Sequence, residues 1–281
     1  MQKILILGLG KSGTTALHYH LLKAVDNSIG LLEPNTFDEV QNFYAENEDK
    51  TIVVKVLLDR YTDDLIQLSE YFDKVIFITR DVRDILISVL LYVSAGIFVT
   101  KRVSDDRVIE AVSLIRIKAA SPGDLSVHQI LESEAFFEVN QFIKQRVKEI
   151  SESAMALGQL ISQLFVLRYE DFLGRKVKGL ANYLGVAIEA LKRKDIEMPK
   201  VQRSIIVRAK GADNWRNWFT PQDIEVYKPL LSPILEIFSY DPENWDCTVS
   251  NKPIPPEISS EYFLKMVNYR RKEFGYKVLD I

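Results

Sequence analysis

Hydrophobic residues gather in five short continuous runs: Lys3–Leu7, Ile29–Leu32, Thr51–Leu57, Lys74–Thr79 and Leu164–Arg168. Each is rich in Ile, Val, Leu or Phe and lacks the alternation of a half-solvated strand. That is the pattern of strands covered on both faces. Among these runs, apolar residues recur instead at helical spacing, predicting helices over Thr14–Val25, Phe37–Glu46, Asp63–Phe72 and Asp84–Val93. Strands alternating with helices predict an α/β fold, a central parallel sheet flanked by helices. Ligands of such sheets bind beyond the carboxyl ends of the strands.

From Gly96 to Gln163 the pattern is helical and is broken once, at Ser121-Pro122-Gly123-Asp124, which reads as a helical insertion over 96–163. Helical patterns return at Val177–Tyr183 and Pro221–Phe238. A C-terminal tail, 251–281, follows: a Pro-rich turn at Asn251–Pro256, then a basic helix ending in Arg270-Arg271-Lys272. There is no internal repeat or low-complexity tract, and 1–281 reads as a single domain.

Charge and cysteine content narrow the function classes. A net charge of −3 gives no global attraction for nucleic acid or an anionic membrane, so any anion site is local. Cys247 is the only cysteine, which excludes a disulfide framework and a cysteine metal cluster. The apolar runs fall short of the ~20 residues of a membrane span. With a strand starting at Lys3, the expectation is a cytoplasmic protein with neither a membrane nor a nucleic-acid partner.

The first run breaks into Gly8-Leu9-Gly10-Lys11-Ser12-Gly13-Thr14-Thr15 and then a helical pattern. A strand delivering a Gly-rich turn to a helix N-terminus offers free N–H groups and a favourable dipole to an anion. Lys11 adds a mobile positive charge, so the loop is a candidate phosphate site. Gly8-x-Gly10-x-x-Gly13 also fits a dinucleotide fingerprint, with Glu33 at the distance of a ribose-binding acid. That alternative is a Rossmann-type NAD(P)-dependent oxidoreductase. A nucleoside-triphosphatase P-loop is excluded, because Leu5 stands where its first glycine is needed.

Lys11-Ser12-Gly13-Thr14-Thr15 resembles the 5′-phosphosulfate loop of the sulfotransferases that use 3′-phosphoadenosine 5′-phosphosulfate (PAPS), with Gly10 where that family usually has proline. Three further segments carry the resemblance in the same order. Val75–Ser88 places Arg80 at a strand end and Ser88 eight residues later, like the family's 3′-phosphate motif. Phe165–Phe172 resembles the strand ending in Tyr-Glu-Asp, whose tyrosine, here Tyr169, lies by the nucleotide. Lys210–Thr220 resembles the segment that closes over the 3′-phosphate. In that segment Ala209 replaces the family's arginine and Arg208 stands one residue earlier. The resemblance spans about residues 3–240 and implies PAPS as donor and no metal. Gly10, Lys11, Ser12, Gly13, Thr14 and Thr15 would hold the 5′-phosphosulfate, with Lys11 also at the bridging oxygen. Arg80, Ser88, Arg208, Lys210 and Gly211 would hold the 3′-phosphate.

Sulfuryl transfer also needs a base for the acceptor. The cytosolic branch uses a histidine two residues after a strand-end lysine; here Lys55 is followed by Leu57, and His18, His20 and His128 lie elsewhere. Thr36–Phe43 instead resembles the Thr-Phe-Glu-Glu segment of the heparan sulfate N-deacetylase/N-sulfotransferases, which implies Glu39 as base. The residues alone equally describe Glu39 as a solvated acid in a helix's first turn. Glu33, at a strand end facing the same mouth, is the reserve candidate, and Lys55 is a candidate partner of the sulfuryl group. Trp215 and Trp218 read as core or nucleotide-flanking, His18 and His20 as packing or solvated, Cys247 as buried, and Tyr262–Phe274 as a packing helix. The implied reaction moves a sulfuryl group to a hydroxyl or amine of a small molecule or carbohydrate. A third reading is a nucleotide-binding module that keeps the fold without the chemistry.

Overall fold

The computed structural model describes residues 1–58, 65–158, 160, 163–191, 211–247 and 252–281. The chain divides into two compact units, Met1–Arg80 with Glu149–Arg203, and Asp81–Lys148 with Ser204–Ile281.

The first unit is the α/β sheet that the apolar runs predict. Strands β1 (Lys3–Gly8), β2 (Ser28–Leu32), β3 (Thr51–Leu57), β4 (Lys74–Thr79) and β5 (Phe165–Arg168) form one sheet in the order β2-β3-β1-β4-β5. Every neighbouring pair is parallel. The interior residues of β1, β3 and β4 are buried, which is why those runs are continuously apolar, whereas edge strand β2 is half-exposed. Helix α1 (Thr14–Ala24) packs Leu17, Leu21 and Ala24 into a core with Ile4, Ile6, Val53, Ile76 and Ile78. Leu180, Ala181 and Leu184 of the helix Lys178–Leu184 join the same cluster. Helices α2 (Phe37–Ala45) and α3 (Leu65–Tyr71) complete the alternation, and the first residues of the expected Asp63–Phe72 helix lie outside the described residues.

The strand order removes the dinucleotide reading. A Rossmann sheet runs 3-2-1-4-5-6, with the second strand beside the first. Here β3 lies between β1 and β2. Glu33 is therefore two strands from the glycine loop, roughly 10 Å at the usual strand spacing.

The second unit is helical. Its chain enters through Val82–Ser88, a π-turn at Val89–Val93 and Ser94–Thr100. The helix thus passes through Gly96, where the sequence pattern places the start of a new region. Val82–Thr100 has the length and composition to cross a bilayer, and 67% of its apolar window is buried inside the protein. That is the condition of a core helix, and Arg83 and Asp84 interrupt its apolar run near the N-terminus. Arg83 pairs with Asp81 and stacks 4.0 Å from the Trp215 ring and 4.9 Å from Trp245. Trp215 and Trp218 are therefore core residues. The basic helix, Ser260–Glu273, buries Tyr262, Phe263, Met266 and Val267 and is the packing helix expected. Cys247 is half-exposed rather than buried.

Candidate functional site

The loop after β1 is shaped by two glycines with different constraints. At Gly8 a Cβ would lie 2.6 Å from the Ile78 carbonyl oxygen, so close strand packing requires glycine. Gly13 has φ 96°, and a Cβ there would lie 2.5 Å from the Tyr169 ring. Gly10, by contrast, faces open space. Lys11 between them also has positive φ, 71°, a conformation that costs a non-glycine residue about 1–3 kcal/mol and persists where the surroundings impose it. Arg80, 7% exposed, holds this turn by donating from Nη1 to the Lys11 carbonyl at 3.1 Å. The same guanidinium lies 4.6 Å from the centroid of the Tyr169 ring. Three segments far apart in sequence thus meet at one sheet edge.

Ser12 is bonded within the loop. Its hydroxyl donates to the Leu9 carbonyl at 2.8 Å and its N–H to the same oxygen at 3.2 Å, and the residue is fully buried. Both donors brace the turn. The anion-facing capacity belongs to the helix itself. Helix α1 has no side-chain cap and no acid in its first turn, so its first N–H groups find no carboxylate of its own to neutralise the dipole.

At the adjoining strand ends lies an acid–base pair. Lys55, 2% exposed on β3, donates from Nζ to Oε1 of Glu33, which is about one-third exposed. Glu33 follows β2, has φ 50° ahead of Pro34, and donates its N–H to the Lys55 carbonyl at 2.8 Å. Positive φ at a residue preceding proline is strained twice over. A buried ammonium needs an anion, and this conformation brings one to it. The Lys55 end of the bridge is buried and the Glu33 end reaches solvent.

Glu39 sits elsewhere. It is exposed in the first turn of α2, where its Oε2 accepts from the Asn35 N–H at 2.9 Å and its own N–H donates to Thr36 Oγ1 at 3.3 Å. These are the bonds of a helix cap. His20 lies 2.7 Å from the Leu191 carbonyl oxygen. His18 is 1% exposed; burial and, secondarily, the Lys55 charge push it down to about 4. Ser88 ends the helix Val82–Ser88 of the second unit, half-exposed, and Gly211 belongs to that unit too. Arg208 and Lys210 lie outside the described residues.

The two glycines make a paired test of the loop. Gly13→Ala combines positive φ with a collision against Tyr169 and is expected to destabilise by about 1–3 kcal/mol. Gly10→Ala, with no neighbour to meet, is expected to stay within about 0.5 kcal/mol of the natural chain. Denaturant titration of both variants checks the contrast.

No protein-family model matches the chain, and no curated protein matches it. Among solved structures the chain is similar to mouse sulfotransferase SULT7A1 complexed with PAP. The TM-score is 0.54 over 84% of this chain and 85% of that one, at 12% sequence identity. The likeness is one of fold: the chain has a sulfotransferase-like α/β fold.

Proposed function

We propose that this protein is a sulfotransferase that moves a sulfuryl group from PAPS to a hydroxyl or amine acceptor. The observation that carries the reading is an uncapped, acid-free helix N-terminus at the same sheet edge as an acid–lysine pair. The first supplies what a phosphosulfate needs, and the second what an acceptor needs. The likeness in fold to a PAP-bound sulfotransferase supports it.

In this reading the 5′-phosphosulfate lies on the N–H groups at the start of α1, with Lys11 neutralising the bridging oxygen as the leaving phosphate gains charge. Arg80 serves the 3′-phosphate. Tyr169 borders the nucleotide. Ser88, Arg208, Lys210 and Gly211 are carried as 3′-phosphate partners on the sequence resemblance alone. Glu33 is the better base than Glu39, because Glu39 is occupied in capping α2 whereas Glu33 adjoins a lysine at the strand ends. As the acceptor oxygen or nitrogen attacks sulfur, its proton passes to Glu33 and the S–O bond to the phosphate breaks, with PAP leaving opposite. Lys55 then has two anions to serve in turn, Glu33 at rest and the sulfuryl oxygens in transfer. Small molecules and carbohydrates are the proposed acceptors, and the cytoplasm the proposed setting.

A ligand that binds only the folded chain at about 100 times its Kd stabilises it by about 2.7 kcal/mol. PAP is therefore expected to raise Tm by roughly 5–10 °C, and NAD(H) to leave it unchanged. Differential scanning fluorimetry reads both, and the opposite pattern removes the proposal. A screen of phenols, sterols, amines and glycans with sulfur-labelled PAPS then separates enzyme from silent module. PAP binding without label transfer to any acceptor favours the module.

A further inference from the structure

His18 lies one helical turn beyond Thr14 on the buried face of α1. Its ring presses on β2 so closely that a Cβ at Gly30 would sit 2.5 Å from Nε2. Gly30 pairs with Val53, and Leu32 with Lys55. Gly30, Val53 and Lys55 therefore share one face of the sheet within one pleat repeat, about 7 Å. Nδ1 of His18 is buried and has no hydrogen-bond partner among the described residues. An orphaned buried nitrogen is uncommon and costly where an apolar side chain would pack as well. A purely structural role leaves the choice of histidine unexplained.

We propose that His18 is a positioning residue for the Lys55–Glu33 pair: its ring, wedged against Gly30 on the sheet face that Lys55 shares, keeps the Lys55 ammonium directed toward Glu33. What the pair does rests on the function proposed above; the placement of His18 does not.

The groups around the ring fit this role. Lys55 faces it from β3, and Glu33 beyond β2 is engaged by Lys55. β2 contributes Gly30, whose missing Cβ would also meet Leu22 of α1. On α1 itself Lys23 is exposed, His20 lies by the Leu191 carbonyl, and Tyr19 meets the ring edge-on at 5.5 Å. Glu189 of the neighbouring helix Ile188–Leu191 is exposed. Burial first and the Lys55 charge second hold His18 down to about 4, against an ordinary 6.5. Between those pH values the unfolded chain takes the proton and the folded chain does not, so stability declines as pH falls across that window. Because coupling is reciprocal, a proton on His18 disfavours the Lys55 charge equally.

The test begins on the ligand-free natural chain. The His18 imidazole, followed by proton–nitrogen NMR, is expected to titrate near 4, and Lys55→Met to move that midpoint toward 6.5. With PAPS and the acceptor found by the label screen, or water where none is found, PAP release is measured across pH. His18→Ala is expected to lower kcat about 10- to 100-fold with KM for PAPS little changed. His18→Gln, isosteric in part and neutral at every pH, recovers most of kcat and alters the acid limb of the profile. Gly30→Ala, which displaces the ring without changing its chemistry, reproduces the loss. A midpoint near 6.5 that Lys55→Met does not move overturns the proposal, as does a His18→Ala profile superimposable on the natural one. A chain that neither binds PAP nor releases it from PAPS sinks the sulfotransferase reading instead, and the NMR arm still decides where His18 acts.

Discussion

Glu33→Gln is expected to lower sulfuryl transfer by about 10²- to 10⁴-fold, the ordinary share of a general base. PAP affinity should change by no more than about twofold, because the substitution removes an interaction made in the transition state. Glutamine keeps an oxygen that can accept from Lys55, so the strand-end geometry has a partner to hold it. It cannot take the acceptor's proton. Glu39→Gln is the control, since its amide oxygen can still accept from the Asn35 N–H and preserve the cap. Its transfer rate should remain within about threefold of the natural chain. Steady-state rates with the acceptor from the label screen, alongside calorimetric titration of PAP, separate the two residues. A large loss in Glu39→Gln with Glu33→Gln unaffected returns the base to the helix cap.

The contrast between these two glutamates shows what the sequence makes legible. Continuous apolar runs disclose a parallel sheet because burial on both faces leaves no polar alternation to confuse the pattern. The glycine loop is visible for the same local reason: a strand, a turn with little side chain and a helix lie contiguous in the chain. Strand order is not local. Glu33 is 20 residues past Gly13 in either a Rossmann or the present sheet, and only β3 standing between β1 and β2 distinguishes them. The Lys55–Glu33 pair is likewise invisible, because it depends on the register that sets Leu32 beside Lys55 and on positive φ at a residue before proline. His18 offered no signal at all; one histidine in an amphipathic helix looks the same whether its ring meets solvent or Gly30. A hydroxyl in a phosphate-binding turn suggests a ligand, and here that of Ser12 braces the turn through Leu9.

Asp223→Ala is expected to cost the helical unit about 3–5 kcal/mol, a large part of a typical domain's 5–15. This fully buried carboxylate accepts four hydrogen bonds. Two come from the N–H groups of Val127 and His128, at 3.1 and 2.7 Å. Two come from Thr220, through N–H at 2.8 Å and Oγ1 at 3.0 Å. One side chain thereby satisfies the starts of two helices, Val127–Glu132 and Pro221–Ile237, and lies at the positive end of both dipoles. Alanine leaves all four donors without this acceptor, those of Val127 and Thr220 buried. The change reaches Lys118 as well. Burial pushes that fully buried ammonium down to about 8 while Asp223 acts to hold it up, so losing the carboxylate lowers it further. Asp223→Asn separates the contributions: it keeps one acceptor oxygen but turns an amide N–H₂ toward an N–H donor, and should fall between the two. Thermal denaturation is expected to show a drop of roughly 6–20 °C for alanine. An alanine variant that melts within about a degree of the natural chain would mean that water or a rearranged Thr220 takes over both helix ends, and that the carboxylate does not hold them.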